Sequence, residues 1–133
     1  MSATSARPSA KAVATPAQVL AARRLLDQVY VDERLLDYVV SLVFATRAPA
    51  EAGLGALKAQ ILYGASPRAT IALVRAARAR AFLEGRGFVT PHDVKAVALD
   101  VLRHRVLTTY EAEAEGLTSV DVIGRVLDHV PVP

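Results

Sequence analysis

The sequence has no cysteine and no tryptophan, a single methionine, and aromatics at only 5%. Without cysteine there can be no disulfide, no thiolate metal site and no cysteine nucleophile, a composition that suits a reducing compartment. The four tyrosines and three phenylalanines do not interleave with the arginines. That denies the chain the stacking platforms on which single-stranded nucleic acid is bound. No apolar run approaches the roughly 18 residues of a membrane span. The longest, Val39 to Ala45, is interrupted by Ser41 and closes at Thr46-Arg47. Met1 to Ala14 lacks the apolar stretch of a signal peptide. Rich in Ser, Ala and Pro, it reads as a disordered lead-in or an expression remnant over 1–14. His92, His104 and His129 are scattered and have no acidic partner at helical spacing, a poor basis for a metal site.

What is present is one domain's worth of chain: 133 residues, 53% of them hydrophobic. A chain of this length buries roughly two thirds of its unfolded surface, here with a core of Ala, Val and Leu. The net charge is +3 and the isoelectric point about 9.6, which makes an anion the first partner to consider. Lysine stands only at Lys11, Lys58 and Lys95, so the positive charge is mostly arginine, whose planar fork grips phosphate and carboxylate. Arg75, Arg78, Arg80 and Arg86 form a basic stretch, read as solvated or paired with Glu84, Asp93 or Asp100, or else as a nucleic-acid or subunit contact. Glu111, Glu113 and Glu115 form a short acidic run, either a solvated surface or a contact for a neighbouring subunit.

Helical periodicity dominates from Thr15 onward. Thr15-Pro16, Ser66-Pro67 and Thr90-Pro91 repeat one start signal, a hydroxyl to cap an orphan N–H and a proline suited to the first helical position. The pattern predicts a first helix over about Pro16 to Gln28, a short extended joint at Val29-Tyr30-Val31, and a second helix capped by Asp32 and running to Arg47. In that second helix Leu35, Leu36, Val39, Leu42 and Val43 form the apolar stripe of a helix on a core. Ala48 to Ala65 reads as a loop region, with a short helix or strand within Leu57 to Tyr63. A third helix spans about Pro67 to Glu84, apolar on most sides and therefore central, ended by Gly85 and Gly87. A fourth covers Pro91 to Arg103, Arg105 to Gly116 is irregular, and Ser119 caps a fifth that ends near His129. With no strand alternation of useful length, the expected fold is an all-α bundle of about five helices.

One start differs from its sisters. Thr15 is followed at the third position by Gln18 and Thr90 by Asp93, both fitting a capping box. Ser66-Pro67-Arg68-Ala69 instead puts a cation in the first turn, against the helix dipole by roughly 0.3–1 kcal/mol. Two readings are open. Arg68 pairs with an acid on a neighbouring helix, or it joins free backbone N–H groups in a small anion site, with Gly64 letting the backbone approach a ligand. Ser66, with no His and Asp nearby in sequence, reads as a cap and not a nucleophile.

The run Gly64-Ala65-Ser66-Pro67-Arg68-Ala69 resembles the sensor-2 motif of MoxR-type AAA+ ATPases. Val29-Tyr30-Val31-Asp32, Leu36-Asp37-Tyr38-Val39-Val40 and Thr46-Arg47 resemble the segment opening that family's C-terminal lid. Ala76-Ala77 to Ala81, Gly85-Arg86, Phe88-Val89, Pro91 and Asp93-Val94 resemble its next two helices. Leu102-Arg103-His104-Arg105 and Val130 to Pro133 resemble its end. The likeness covers 15–133.

The resemblance implies a helical lid over ATP (Mg-ATP) held mainly by a separate α/β core, with Arg68 reaching the γ-phosphate as the catalytic residue and Gly64, Ala65, Ser66, Pro67, Arg68 and Ala69 as the cofactor-binding motif. It places the Val29–Val31 joint with Ala69 and Ala72 on the adenine side. It further implies a cytoplasmic ring, often a hexamer, acting as a chaperone-like remodeller of partner complexes, frequently with von Willebrand A-domain proteins. The chain departs from a whole ATPase in having no G-x-x-x-x-G-K-[ST] phosphate loop. Gly53-Leu54-Gly55-Ala56-Leu57-Lys58 has the wrong spacing and no hydroxyl after the lysine. The expectation is an excised lid or a truncated gene product, inactive alone. The alternative drawn from charge is a stand-alone basic helical module that binds nucleic acid or a protein partner.

Overall fold

A threonine opens four of the helices. In the computed structural model, which describes residues 9–133, Thr15 and Thr90 accept from the backbone N–H three residues on. The Gln18 and Asp93 side chains reach back to the cap amides, completing both capping boxes. The helices they start are α1 (Pro16–Leu25) and α4 (Pro91–Leu102). Between them lie α2 (Glu33–Arg47) and α3 (Arg68–Leu83); α5 (Tyr110–Ala114) and α6 (Ser119–His129) follow. Asp32 caps α2 by accepting from the Arg34 amide at 2.9 Å, as expected. The cap of α6 is Thr118, not Ser119. Thr118 and Asp121 form a third capping box, and Ser119 becomes the first helical residue because that box fixes the start one position earlier.

Of the lead-in expected over 1–14, residues 1–8 lie outside the described residues. Residues 9–14 are exposed and carry no helix or strand. The expected first helix is shorter than its pattern: α1 stops at Leu25, and Leu26–Gln28 tighten into a 3₁₀ turn. The expected loop region holds a 3₁₀ turn over Gly55–Ala59 and strand β1 (Ile61–Tyr63). The expected irregular stretch holds strand β2 (Leu107–Thr108) and α5. The strands pair antiparallel, Ile61 opposite Thr108, too short to show alternation in sequence.

The core is one cluster centred on α3. Leu73, Ala77 and Ala81 of α3 share it with Leu35, Val39, Leu42 and Val43 of α2 and Val94, Ala98 and Leu102 of α4, and α6 adds Val122, Ile123 and Val126 by packing on α4 and α2. Leu36 falls outside the buried stripe and is 38% exposed, because that stripe runs through Leu35, Tyr38, Val39 and Leu42 at i, i+3, i+4 and i+7. Alanines let α4 lie close along α3, so the two helices act as one unit. The joint at Tyr30 is extended as expected and stitches this unit to α2: Tyr30 N–H donates to Gly87 O, and Val89 N–H to Tyr30 O, each at 2.9 Å. Gly85, at φ +73°, turns the chain out of α3 in the left-handed conformation.

Asp93 holds this joint electrostatically. Fully buried, it accepts from Arg86 Nη1 at 2.8 Å and Nη2 at 2.6 Å, and from both the amide and the hydroxyl of Thr90 at 2.8 Å. Arg86 also reaches the Phe88 carbonyl and Glu84, so one bidentate fork gathers the α3–α4 connection. The Arg86 guanidinium, against the cost of burial, pulls the Asp93 carboxyl down to about 2 from an ordinary 3.8.

Two outcomes are expected. Because the folded carboxyl ionises below its unfolded value, its stabilisation is complete above the unfolded value of 3.8 and is lost as pH falls through 3.8 toward 2. Thermal melts across that window should show the loss. Asp93→Ala, which strands Arg86 and removes a cap, should destabilise the chain by about 3 kcal/mol in urea unfolding; a change within about 0.5 kcal/mol would refute the role.

Candidate functional site

The last turn of α2 carries Thr46, a fully buried polar residue. Its hydroxyl donates to Val43 O at 2.7 Å and accepts the Ala65 N–H at 3.0 Å. Beside it Arg47 Nη1 donates to Ala65 O at 3.3 Å. Both backbone polar groups of Ala65 are thus held by the end of α2. Gly64 lies against the same turn. A Cβ there would sit 2.2 Å from Thr46 O and 2.8 Å from Arg47 Cα, well inside contact distance, so only a hydrogen fits. The close approach expected of Gly64 is therefore to α2, a packing reason for the glycine.

Ala65 and Ala69 are both wholly buried. The intervening Ser66, Pro67 and Arg68 are exposed, a short arch pinned at both feet. The cap expected at Ser66 is not made. Pro67 is already helical, at φ −55° and ψ −24°, and α3 has no side-chain cap. The Ala69 amide closes onto Ser66 O at 2.8 Å and the Thr70 amide onto Pro67 O at 3.1 Å. A tight backbone turn has replaced the hydroxyl, and it occupies two of the N–H groups an anion would have used. The cationic feature of the arch is then the Arg68 guanidinium itself.

Arg68 makes no ion pair among the described residues, so a partner acid on a neighbouring helix is not realised in this chain. Of the other arginines of α3, Arg75 is likewise exposed and without an ion pair, whereas two are paired. Arg80 pairs with Glu84 at 2.9 Å and lies 3.7 Å from Asp93; Arg78 lies 3.9 Å from Asp27. The paired reading of the basic stretch thus holds for Arg78, Arg80 and Arg86, although Asp100 takes Arg103 instead. Of the residues expected to line the adenine side, Val29 is buried, Tyr30 exposed, and Val31 and Ala72 partly exposed. Ala69 has no side-chain surface left to offer and contributes anchoring.

The histidines form no site. His92 and His104 are exposed. His129 Nε2 lies 2.9 Å from Ala52 O, tying α6 to the turn after α2. Among the described residues no group of His, Asp and Glu is placed to hold a metal ion, and no helix is long and apolar enough to cross a membrane. Sequence reasoning gave Thr46 and Arg47 no task; a buried threonine one turn from a helix end, facing a Gly-Ala pair distant in sequence, leaves no local signal.

Comparison with known proteins converges on one family. A family model described as the AAA lid domain matches residues 55–126. Over 126 residues the chain is 41% identical to Chaperone MoxR1 of Mycobacterium tuberculosis, which takes in 95% of this chain and 33% of that protein. It is 45% identical to Protein MoxR of Paracoccus denitrificans over 72% of this chain and 30% of that one. It also superposes on the crystal structure of a Cytophaga hutchinsonii protein described as an ATPase, with TM-score 0.85 and 47% identity over 88% of this chain and 36% of that one. The chain thus spans about a third of the length of the curated relatives it matches.

The arch generates a contrast. Gly64→Ala, which drives a methyl into the Thr46 carbonyl, should cost about 1–3 kcal/mol. Arg68→Ala, at an exposed position without a partner, should leave stability within about 0.5 kcal/mol. Urea unfolding of the two variants beside the parent checks both.

Proposed function

Since the chain belongs to the AAA lid domain family, as a lid of the MoxR type, we propose that it closes over ATP bound by an α/β core, with Arg68 as the sensor-2 arginine. One observation carries the reading: an exposed arginine without an acid partner, held between two buried alanines at the start of the central helix. Arg75 is also exposed and unpaired, but Arg68 alone among the arginines of α3 stands in the first turn, where the helix dipole opposes a cation and an anion such as a γ-phosphate presented by a core domain would offset it.

The residues divide the task. Thr46, Arg47 and Gly64 fix the arch to α2, and Ala65 and Ala69 seat it in the core. Pro67 limits the backbone in front of Arg68. The backbone position of the arginine is thereby set by folding and not by the ligand, so only its side chain has to be ordered when the lid closes. A guanidinium held there neutralises charge that grows on the transferring phosphoryl group. It also senses whether that group is present, since hydrolysis removes its partner. α3 carries Arg68 at one end and the Asp93–Arg86 joint at the other, so a pull on Arg68 is passed to the whole bundle.

The larger role is the one implied by the family resemblance, and a relative named a chaperone supports it only in outline. Joined to a core, the lid works in a cytoplasmic ring, a hexamer in the simplest arrangement, that remodels or matures partner proteins, von Willebrand A-domain proteins among them. Mg-ATP is held mainly by that core.

In an ATPase formed from this lid and a MoxR-type core, Arg68→Ala should lower kcat on the order of 10²-fold while changing ATP affinity by less than about threefold. Steady-state hydrolysis and nucleotide titration separate the two. Equal turnover by mutant and parent would remove Arg68 from the mechanism.

A further inference from the structure

Two exposed surfaces of this chain are unlike each other and match in charge. The first is a cleft of about 480 Å³ between α1 with its following turn and α3, lined by Leu20, Arg23, Arg24, Asp27, Arg75 and Arg78. Four arginines face one aspartate there. That aspartate is 86% exposed and touches Arg78 only at 3.9 Å; the Nε of Arg78 is buried without a hydrogen-bond partner. The cleft's outer wall is α1, which buries none of its residues in this chain and leaves Val19, Leu20 and Leu25 about half exposed. It is an apolar surface ringed by cations.

The second surface lies at the β1–β2 sheet and α5, elements separate from those that form the cleft. Leu62 and Leu107 are about half exposed there and Tyr110 is 85% exposed, beside exposed Glu111, Glu113 and Glu115. A groove under the sheet is lined by Leu62, Leu107, Tyr110 and Glu113, with Arg103, paired to Asp100, at its wall. It is an apolar surface edged by carboxylates.

We propose that these surfaces are two halves of one contact: α5 of one copy of this chain docks in the Arg23–Arg24–Arg75–Arg78 cleft of the next. Val19, Leu20 and Leu25 on one side and Leu62, Leu107 and Tyr110 on the other are covered, carboxylates meet arginines, and the Tyr110 ring is of the kind that stacks on a guanidinium. Because the two halves are different patches, the contact is head-to-tail, the kind that propagates around a ring. The inference does not rest on the nucleotide role of Arg68, which lies outside both surfaces.

The test is sedimentation of the 133-residue chain and two charge-reversed variants, Arg23→Glu/Arg75→Glu and Glu111→Arg/Glu113→Arg, with thermal melts confirming that both fold. The parent should self-associate at low salt, with affinity falling on the order of tenfold or more as salt is raised. Each variant alone should be monomeric, and an equimolar mixture of the two should associate again. A parent that stays monomeric at low salt overturns the proposal, as does association that neither reversal weakens, or a mixture that fails to associate. Binding of a DNA duplex at the cleft, lost in Arg23→Glu/Arg75→Glu and without self-association of the parent, would overturn it in favour of a nucleic-acid surface.

Discussion

The hydroxyl of Thr46 is the fixed point of this structure. It is fully buried and satisfied on both sides, by Val43 O behind it and by the Ala65 amide in front. Unmade, either bond would leave a polar group in an apolar core at a cost of about 1–3 kcal/mol. Everything that makes the Arg68 arch definite depends on it. Because Ala65 is tied to α2, Gly64 must lie on the α2 backbone, where no side chain fits. Because Ala65 and Ala69 are both interior, the residues between them have no choice but to face out.

The same helix is fixed at its far end by a different kind of force. There the bidentate contact of Arg86 with the buried Asp93 carboxylate joins α3 to α4, while the Tyr30 bridge to Phe88 ties in the chain before α2. One neutral hydrogen-bond pair at the start of α3 and one charged network at its end leave the helix little freedom to move alone. α1 stands apart, with no buried residue, and is the one helix whose apolar face finds no cover within the described residues.

How much of this was legible in the sequence depends on the range of the interaction. Capping boxes are local, so Thr15 with Gln18 and Thr90 with Asp93 can be read three residues apart, and the helices they cap start where expected. Thr118 with Asp121 carries the same signal one residue before the Ser119 that was assigned. Ser66-Pro67 shows the limit of local reading. It shares its pair of residue types with the other starts, yet the Ala65 anchor 19 residues from Thr46 sets the turn there, and the serine cap is displaced. The anomaly of Arg68 against the helix dipole was visible. That it lacks an acid partner was not, because an ion pair can be ruled out only once the helices are placed. Strands of three and two residues are below the length at which alternation means anything.

The central claim is that Thr46 serves chemistry only by holding Arg68 in place, and a double-mutant cycle measures that directly. In an ATPase carrying this lid, kcat is compared for the parent, Thr46→Val, Arg68→Ala and the pair, at a temperature where all remain folded. Thr46→Val alone should lower kcat on the order of tenfold, and in the Arg68→Ala background by less than about twofold, because the residue it positions is gone. Effects that multiply in full would contradict the account, since Thr46 would then act by a route that does not pass through Arg68.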